Sequence, residues 1–505
     1  MTTLVERTPL ALRTGPRETW AAVFALARFE GRRLLLSPPV LVAFALYLAW
    51  IVYHTHDSYD GFPALQDVDR DTQSMPLLVG LAVLLSVNLA VLRSRRRDTE
   101  RHFAVLVVTP WRRTLAHLLS LLPVVLLTAA GVALQFGWEA LKPGAVGHGS
   151  PGELLVGPLT VLLLGALGVL LARVLKSPFT GPLLVVFLLF FLVLGVSPGG
   201  EDGGTRWLTP VVGDSSPDTL PSDLLGRPAA WHAVYLLGLG LAIGVVALLA
   251  GGGRRVRTLY AVLGATVALT LVGAVAQAGG EPASLTAARE RATLDPELKC
   301  VRHSGSTYCA HPEWEPRTGT WAEVVDEVRN LAGGTAHEQP LLVRQRVEAR
   351  YGPDADGALE ASGTEYEVTV GTRWGGARVP EFSSAVAAVL VTGTERAAGE
   401  LCDGRMVTVM WLSLGWQDRP VDQLRLVRLD DSDTGSAVVL SPTSGMSMSA
   451  GQTDVVRELL GRPKAEVTAL VKKNWTELTT PGLTTARAAE LLGVRGVTEK
   501  DGCEE

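Results

Sequence analysis

Seven apolar runs fill the first 278 residues, and they restrict the fold more than any other feature of the chain. They cover roughly Val40–Val52, Met75–Leu92, Leu115–Phe136, Leu154–Leu175, Pro182–Val196, Trp231–Ala250 and Leu259–Ala278. Most approach the ~20 residues a helix needs to cross a hydrocarbon core. Lipid offers the backbone no hydrogen bonds, so such runs are expected to be helices. The first and fifth are the shortest; flanking Pro39, Tyr53 and Thr180 extend them. The expectation is an α-helical polytopic membrane domain of six to seven spans.

The connections carry opposite charge on alternate sides. Residues 1–37, 93–114, 172–180 and 251–258 hold 18 Lys and Arg together. Residues 54–74, 137–153 and 197–230 hold only Arg70, Lys142, Arg206 and Arg227. Basic connections stay on the cytoplasmic side of a bilayer. The amino terminus is therefore expected inside, and an odd number of spans puts Gly279–Glu505 outside. Losing one span reverses that tail. Three domains follow: 1–37, a cytoplasmic amphipathic helix; 38–278, the transmembrane domain; and 279–505, an extracytoplasmic domain. The compositional bias toward Ala, Gly, Leu, Val and Arg suggests a bacterial cell membrane as the setting.

Residues 1–16 hold no apolar run, so no cleavable signal peptide is expected. In Glu18–Leu36, apolar Trp20, Val23, Phe24, Ala27, Leu34 and Leu35 alternate with Arg28, Arg32 and Arg33. That spacing suits an amphipathic helix in the interface plane. Ser37-Pro38-Pro39 ends it. The Arg93–Arg113 connection carries seven Arg against two acids and encloses a short apolar segment, Phe103–Val108. It reads as a small surface helix offered to a cytoplasmic partner, or as a charged anchor that only fixes topology.

Polar residues within the runs are few: Asn88, His117, Gln135, Glu139 and His232. No acidic relay of the kind proton or ion carriers use is evident. Asn88 is expected to bond between helices. His54, His56, Asp57 and Asp60 cluster in the first outer loop; the types suit a divalent ion, but a solvated acidic loop is the preferred reading. Trp207 is expected at the membrane interface.

From Gly279 on, 24 Lys and Arg face 34 Asp and Glu, and all four cysteines (Cys300, Cys309, Cys402, Cys503) fall here. A mixed α/β or α+β soluble domain is expected. Lys299–Ala310 reads as two strands around a Ser304-Gly305-Ser306 turn, with Cys300 and Cys309 close enough to bridge; that leaves Cys402 and Cys503 for each other, although four cysteines allow three pairings. Helices are expected at Ser284–Leu294, from a Thr320–Glu323 capping box to Gly333-Gly334, at Glu381–Val391, at Glu395–Leu414 broken at Cys402-Asp403-Gly404, and at Thr453–Leu460, Ala465–Leu478 and Thr485–Leu492. Strands are expected at Leu342–Tyr351 and Tyr366–Val370. Trp314, between Pro312 and Pro316, is expected to pack against the domain. There is no phosphate-binding Gly-rich loop, no zinc-binding His pair and no nucleophile elbow. No catalytic residue, metal ligand or cofactor is assigned, and the acidic domain is no nucleic-acid partner. A membrane-anchored extracytoplasmic sensor or binding module is the alternative to a transporter.

The membrane half resembles the permease subunit of ABC exporters of the type-two export class. The residues that carry the likeness are the Glu18–Leu36 helix, the Arg97-Asp98-Thr99-Glu100-Arg101 turn leading into Phe103–Val108, and Thr109-Pro110-Trp111-Arg112-Arg113 opening the third span. The resemblance covers roughly 17–278 and implies a cytoplasmic ATPase subunit gripping a coupling helix over Glu100–Val108, with Glu100, Phe103, Leu106 and Val108 as its contact residues. It also implies pairing with a second permease copy or paralogue. That family usually has six spans with both ends inside and no large outer domain; Gly279–Glu505 is similar to outer domains appended to such permeases in actinobacteria.

Overall fold

The computed structural model describes residues 16–96, 108–175, 177–193, 207–212, 219–294, 296–352 and 359–496. The apolar runs are helical. The first half comprises α1 (Pro16–Leu35), α2 (Pro38–Asp57), α3 (Leu65–Asp71), α4 (Ser74–Arg96), α5 (Pro110–Leu119), α6 (Leu122–Ala140), α7 (Pro151–Val174), α8 (Thr180–Val193), α9 (Ala229–Ala250) and α10 (Arg257–Gln277). Among the described residues, six segments are long and apolar enough to cross a membrane: Pro38–Gly61, Leu65–Ser94, Pro110–Ala140, Pro151–Val174, Ala229–Ala250 and Arg257–Gln277.

The fifth run departs from a seventh full-length span. Helix α8 starts only after Ser177-Pro178, and its 14 described residues reach about 21 Å at 1.5 Å per residue, short of the ~30 Å core. The chain nevertheless changes ends of the bundle between Leu175 and Trp207. Helices α4, α7 and α9 run side by side in the same direction: Gly157 lies on Pro76, Gly168 on Leu84, and Gly152 on Ala229. Leu175 thus emerges at the end where α4 and α9 finish. Trp207 sits at the other, its carbonyl accepting from Gln277 Nε2 at 2.9 Å.

Close packing rests on small residues. A Cβ on Gly273 of α10 would stand 2.6 Å from Tyr235 N, and one on Gly238 of α9 2.7 Å from Thr270 N. Backbones at that separation gain dispersion contact without a hydrophobic driving force from lipid. Asn88, fully buried, donates from Nδ2 to Gly168 O at 3.2 Å, bonding α4 to α7 as expected.

The C-terminal lobe begins with α11 (Ala283–Leu294) and a four-stranded sheet of order β1-β2-β3-β4. Strands β1 (Lys299–His303) and β2 (Ser306–Ala310) are an antiparallel hairpin; β3 (Leu342–Gln345) and β4 (Glu367–Val370) join in parallel, with α12 (Thr318–Leu331) crossing from β2 to β3. The turn needs positive φ at both central residues, and Ser304 (48°) and Gly305 (85°) supply it. That register sets Cys300 opposite Cys309, and the two form a disulfide with Cα atoms 4.0 Å apart. Cys402 is also disulfide-bonded; Cys503 lies outside the described residues.

Helices α13 (Arg378–Thr392), α14 (Glu395–Gly399), α15 (Arg405–Leu414), α16 (Pro420–Val427), α17 (Ala450–Leu460), α18 (Lys464–Lys473), α19 (Trp475–Leu478) and α20 (Thr485–Leu491) complete the lobe, with a small hairpin of β5 (Ala437–Val439) and β6 (Met446–Met448). Helix α13 is central: every residue from Pro380 to Val391 is buried. Three expectations are corrected. The capping box is absent: a 3-10 turn over Pro312–Arg317 runs straight into α12 at Thr318, and Thr320 Oγ1 donates to Arg317 O instead. The strand expected to reach Tyr351 stops at Gln345, where Val347 and Ala349 turn aside to pack on Leu220 and Leu224. And α16 and the β5–β6 hairpin occupy a stretch with no expected element.

Candidate functional site

The end of the bundle where α4 and α7 finish is where α1 docks. Its sequence puts Thr19, Val23, Ala27, Glu30 and Leu34 at helical spacing, and all five are buried, whereas Trp20, Phe24, Phe29 and the three arginines Arg28, Arg32 and Arg33 are exposed. Val23 and Ala27 pack on Ala116 of α5, with Leu26, Leu115, Leu119 and Val108 around them. Gly31 passes so close to α5 and α6 that a Cβ there would lie 3.3 Å from the Pro123 ring. The Arg112 guanidinium lies 5.9 Å from the Trp20 ring centroid.

Glu30 is the charged member of the buried stripe, and it has a partner. Arg93 Nη1 approaches its carboxylate at 3.2 Å, tying α1 to α4. Ser37, in the α1–α2 joint, donates to Leu34 O at 2.7 Å and lies 3.2 Å from Ser86 Oγ of α4. A cavity of about 50 Å³ remains between these helices, with Glu30, Ser37, Ser86, Arg93, His117 and Ser120 on its wall. Helix α1 is therefore joined by apolar contact to the helix that follows the Arg93–Arg113 connection and by an ion pair to the helix that precedes it. Of the residues expected to contact a motor, Val108 belongs to this cluster; Glu100, Phe103 and Leu106 lie outside the described residues.

The opposite end is closed by the C-terminal lobe. Its core includes Ala64 and Val146, from the loops after α2 and α6, beside Tyr308, Trp314 and Trp321. Trp314 is fully buried and donates to Thr372 O at 2.8 Å, in line with the packing role expected for it. The fastening residue is its neighbour Arg317, only 2% exposed. Its guanidinium donates to Phe62 O at 2.7 Å, Pro63 O at 3.2 Å, Gly144 O at 3.3 Å and Thr372 O at 3.0 Å. Burial pulls its pKa down to about 10, which leaves it cationic at neutral pH. Arg289 repeats the device, donating to Leu224 O and Leu225 O while pairing with Glu281 at 2.6 Å.

Below this seam lies a cavity of about 320 Å³, with Gln66, Asp69, His148, Glu153, Asp223 and Arg227 among its lining residues. Glu153 pairs with Arg227 at 3.0 Å and accepts from Gln73. Asp69 Oδ2 accepts from Ser150 N at 2.7 Å, capping α7. The histidines of the first outer loop turn to different neighbours: His54 stacks on Trp50 and faces Asp71 at 3.6 Å, while His56 turns to Asp57. Among the described residues no three His, Cys, Asp or Glu are placed to hold a metal ion. Trp207 packs against His232 and beneath Arg227.

Compared with known proteins, the chain matches no family model, no curated protein and no solved structure. Two groups of residues escaped the sequence reading. Glu30 was detectable, because an acid on the apolar stripe of an amphipathic helix needs a buried partner. Arg317 left only a faint signal, a cation directly after the Pro-flanked Trp314; its acceptors in the bundle loops, Phe62, Pro63 and Gly144, lie more than 170 residues away.

Proposed function

We propose that this chain is the membrane permease subunit of an ATP-driven exporter, energised by a separate cytoplasmic ATPase that docks at the α1 end. The observation that carries this reading is the attachment of α1 to both helices flanking the Arg93–Arg113 connection, through Val23, Ala27 and Ala116 on one side and Glu30–Arg93 on the other. A force applied to α1 or to that connection reaches α4 and α5 directly, because packed interiors transmit strain. The exposed Arg28, Arg32 and Arg33 suit an acidic docking surface. The chain has no phosphate-binding loop of its own, so the energy source is a second chain.

In this reading the α1 end faces the cytosol and the C-terminal lobe faces outward. The test is purification of tagged protein from native membranes. An ATPase should accompany the intact chain and be lost from a variant carrying Arg28→Glu, Arg32→Glu and Arg33→Glu. Recovery of the intact chain without any ATPase would sink the proposal. A binding module without transport is the second reading, favoured by the cavity at the seam between bundle and lobe.

A further inference from the structure

We propose that the cavity at the seam binds a small organic cation carrying a primary ammonium group. The inference concerns the purified chain alone and stands whether or not an ATPase docks.

The first argument is hydrogen-bond bookkeeping. Gln66 and Asp69 are each only 2% exposed, and both line the cavity. Gln66 Oε1 and Asp69 Oδ1 have no donor, and neither has the Ser222 hydroxyl on the same wall. Buried acceptors without donors are costly, on the order of 1–3 kcal/mol each. Three acceptors, one of them on the Asp69 carboxylate, match the three N–H donors and single charge of an ammonium.

The second argument is charge. The cation in the wall, Arg227, already pairs with Glu153 at 3.0 Å. The amino end of α7, which would otherwise attract an anion, already holds Asp69 Oδ2 at Ser150 N. Asp69 and the exposed Asp223 at the rim then leave the wall negative. His148 at the mouth faces Glu313 at 3.7 Å, and Glu313 also accepts from Gln66 Nε2 and Ser222 N. An anion is disfavoured by these carboxylates, and no three metal-ligating groups converge among the described residues. The volume, about 320 Å³, is at the small end of ligand pockets.

The experiment is a titration of detergent-purified full-length protein with n-butylammonium, read by melting temperature and by calorimetry. Tetramethylammonium, which has the charge and no N–H donor, and magnesium ion serve as controls. A saturable shift with n-butylammonium and none with the controls is expected. Asp69→Asn should weaken binding about tenfold or more, the worth of a charged hydrogen bond. Should that variant fail to fold, Asp223→Lys on the exposed rim decides, with several-fold weaker binding expected. No saturable shift in the native chain overturns the proposal. An equal shift with either control, or undiminished binding in a folded variant, overturns it as well.

Discussion

At the α1 end Arg28, Arg32 and Arg33 project from the helix surface, while at the lobe end the side chains of Arg227, Arg289 and Arg317 are buried against an acid or backbone carbonyls. The same side chain serves opposite purposes. A guanidinium is weakly hydrated and presents five donors, so it can be buried where carbonyls or a carboxylate receive it. The comparison also sharpens the charge asymmetry of the sequence. Of the four basic residues on the sparsely charged connections, Arg70 pairs with Asp67, Lys142 with Glu139 at 2.9 Å, and Arg227 with Glu153 at 3.0 Å; Arg206 lies outside the described residues. The cations that break the charge pattern are those neutralised by a neighbouring acid. Counting arginines by connection is therefore more discriminating when buried pairs are set aside.

The largest expected effect tests the contrast directly. Arg317→Met should cost about 3–5 kcal/mol, because several buried carbonyls lose their donor together. The measurements are thermal unfolding in detergent and protease sensitivity of the lobe. Arg33→Met at the other end should stay within about 0.5 kcal/mol. Equal losses would erase the distinction between the ends.

Acidity should act on the lobe through its buried His311. His311 is buried beside Trp314, and burial pushes its pKa down to about 4. Between pH 6.5, the unfolded value, and about pH 4, the unfolded chain holds the proton and the folded chain does not. Stability therefore falls as pH drops through that window, by on the order of 3 kcal/mol. Unfolding of the lobe followed from pH 7 to pH 4 checks this, and His311→Gln should flatten the profile.

Smaller again is the hairpin bridge. Replacing Cys300 and Cys309 with Ser should cost roughly 2–3 kcal/mol by freeing a short loop, seen in lobe unfolding and not in detergent-solubilised bundle helicity. A smaller loss, about 1 kcal/mol, is expected from Glu30→Gln, whose partner Arg93 is partly exposed. Under the exporter function proposed above, its transport defect should be out of proportion to that loss; ATP-dependent uptake into inverted vesicles is the measure.

How far the sequence reaches differs between the two halves for a physical reason. In the bundle the solvent is uniform, so run length and hydropathy suffice for α2, α4, α7, α9 and α10. The fifth run, Pro182–Val196, begins within α8 at the expected place, but the 14 described residues of that helix are too few for a full-length span. In the lobe, local turn chemistry made the Cys300–Cys309 hairpin legible. The break at Cys402-Asp403-Gly404 was also legible, and α14 and α15 flank it. Strand β3 was overestimated because its end is set by Leu220 and Leu224, which belong to a distant connection. The seam residues Gln66, Asp69, Glu153 and Arg227 were not gathered as a site, since α3, α7 and the connection before α9 supply them and no spacing links those three stretches.

The sidedness that joins these points is open to one direct measurement. Arg32→Cys and Glu338→Cys each place a thiol at an exposed position, one on α1 and one on the lobe. A membrane-impermeant maleimide applied to intact cells should label the Glu338→Cys protein, and should label the Arg32→Cys protein only after the cells are opened. Labelling of Arg32→Cys in intact cells, with Glu338→Cys protected, would contradict the account.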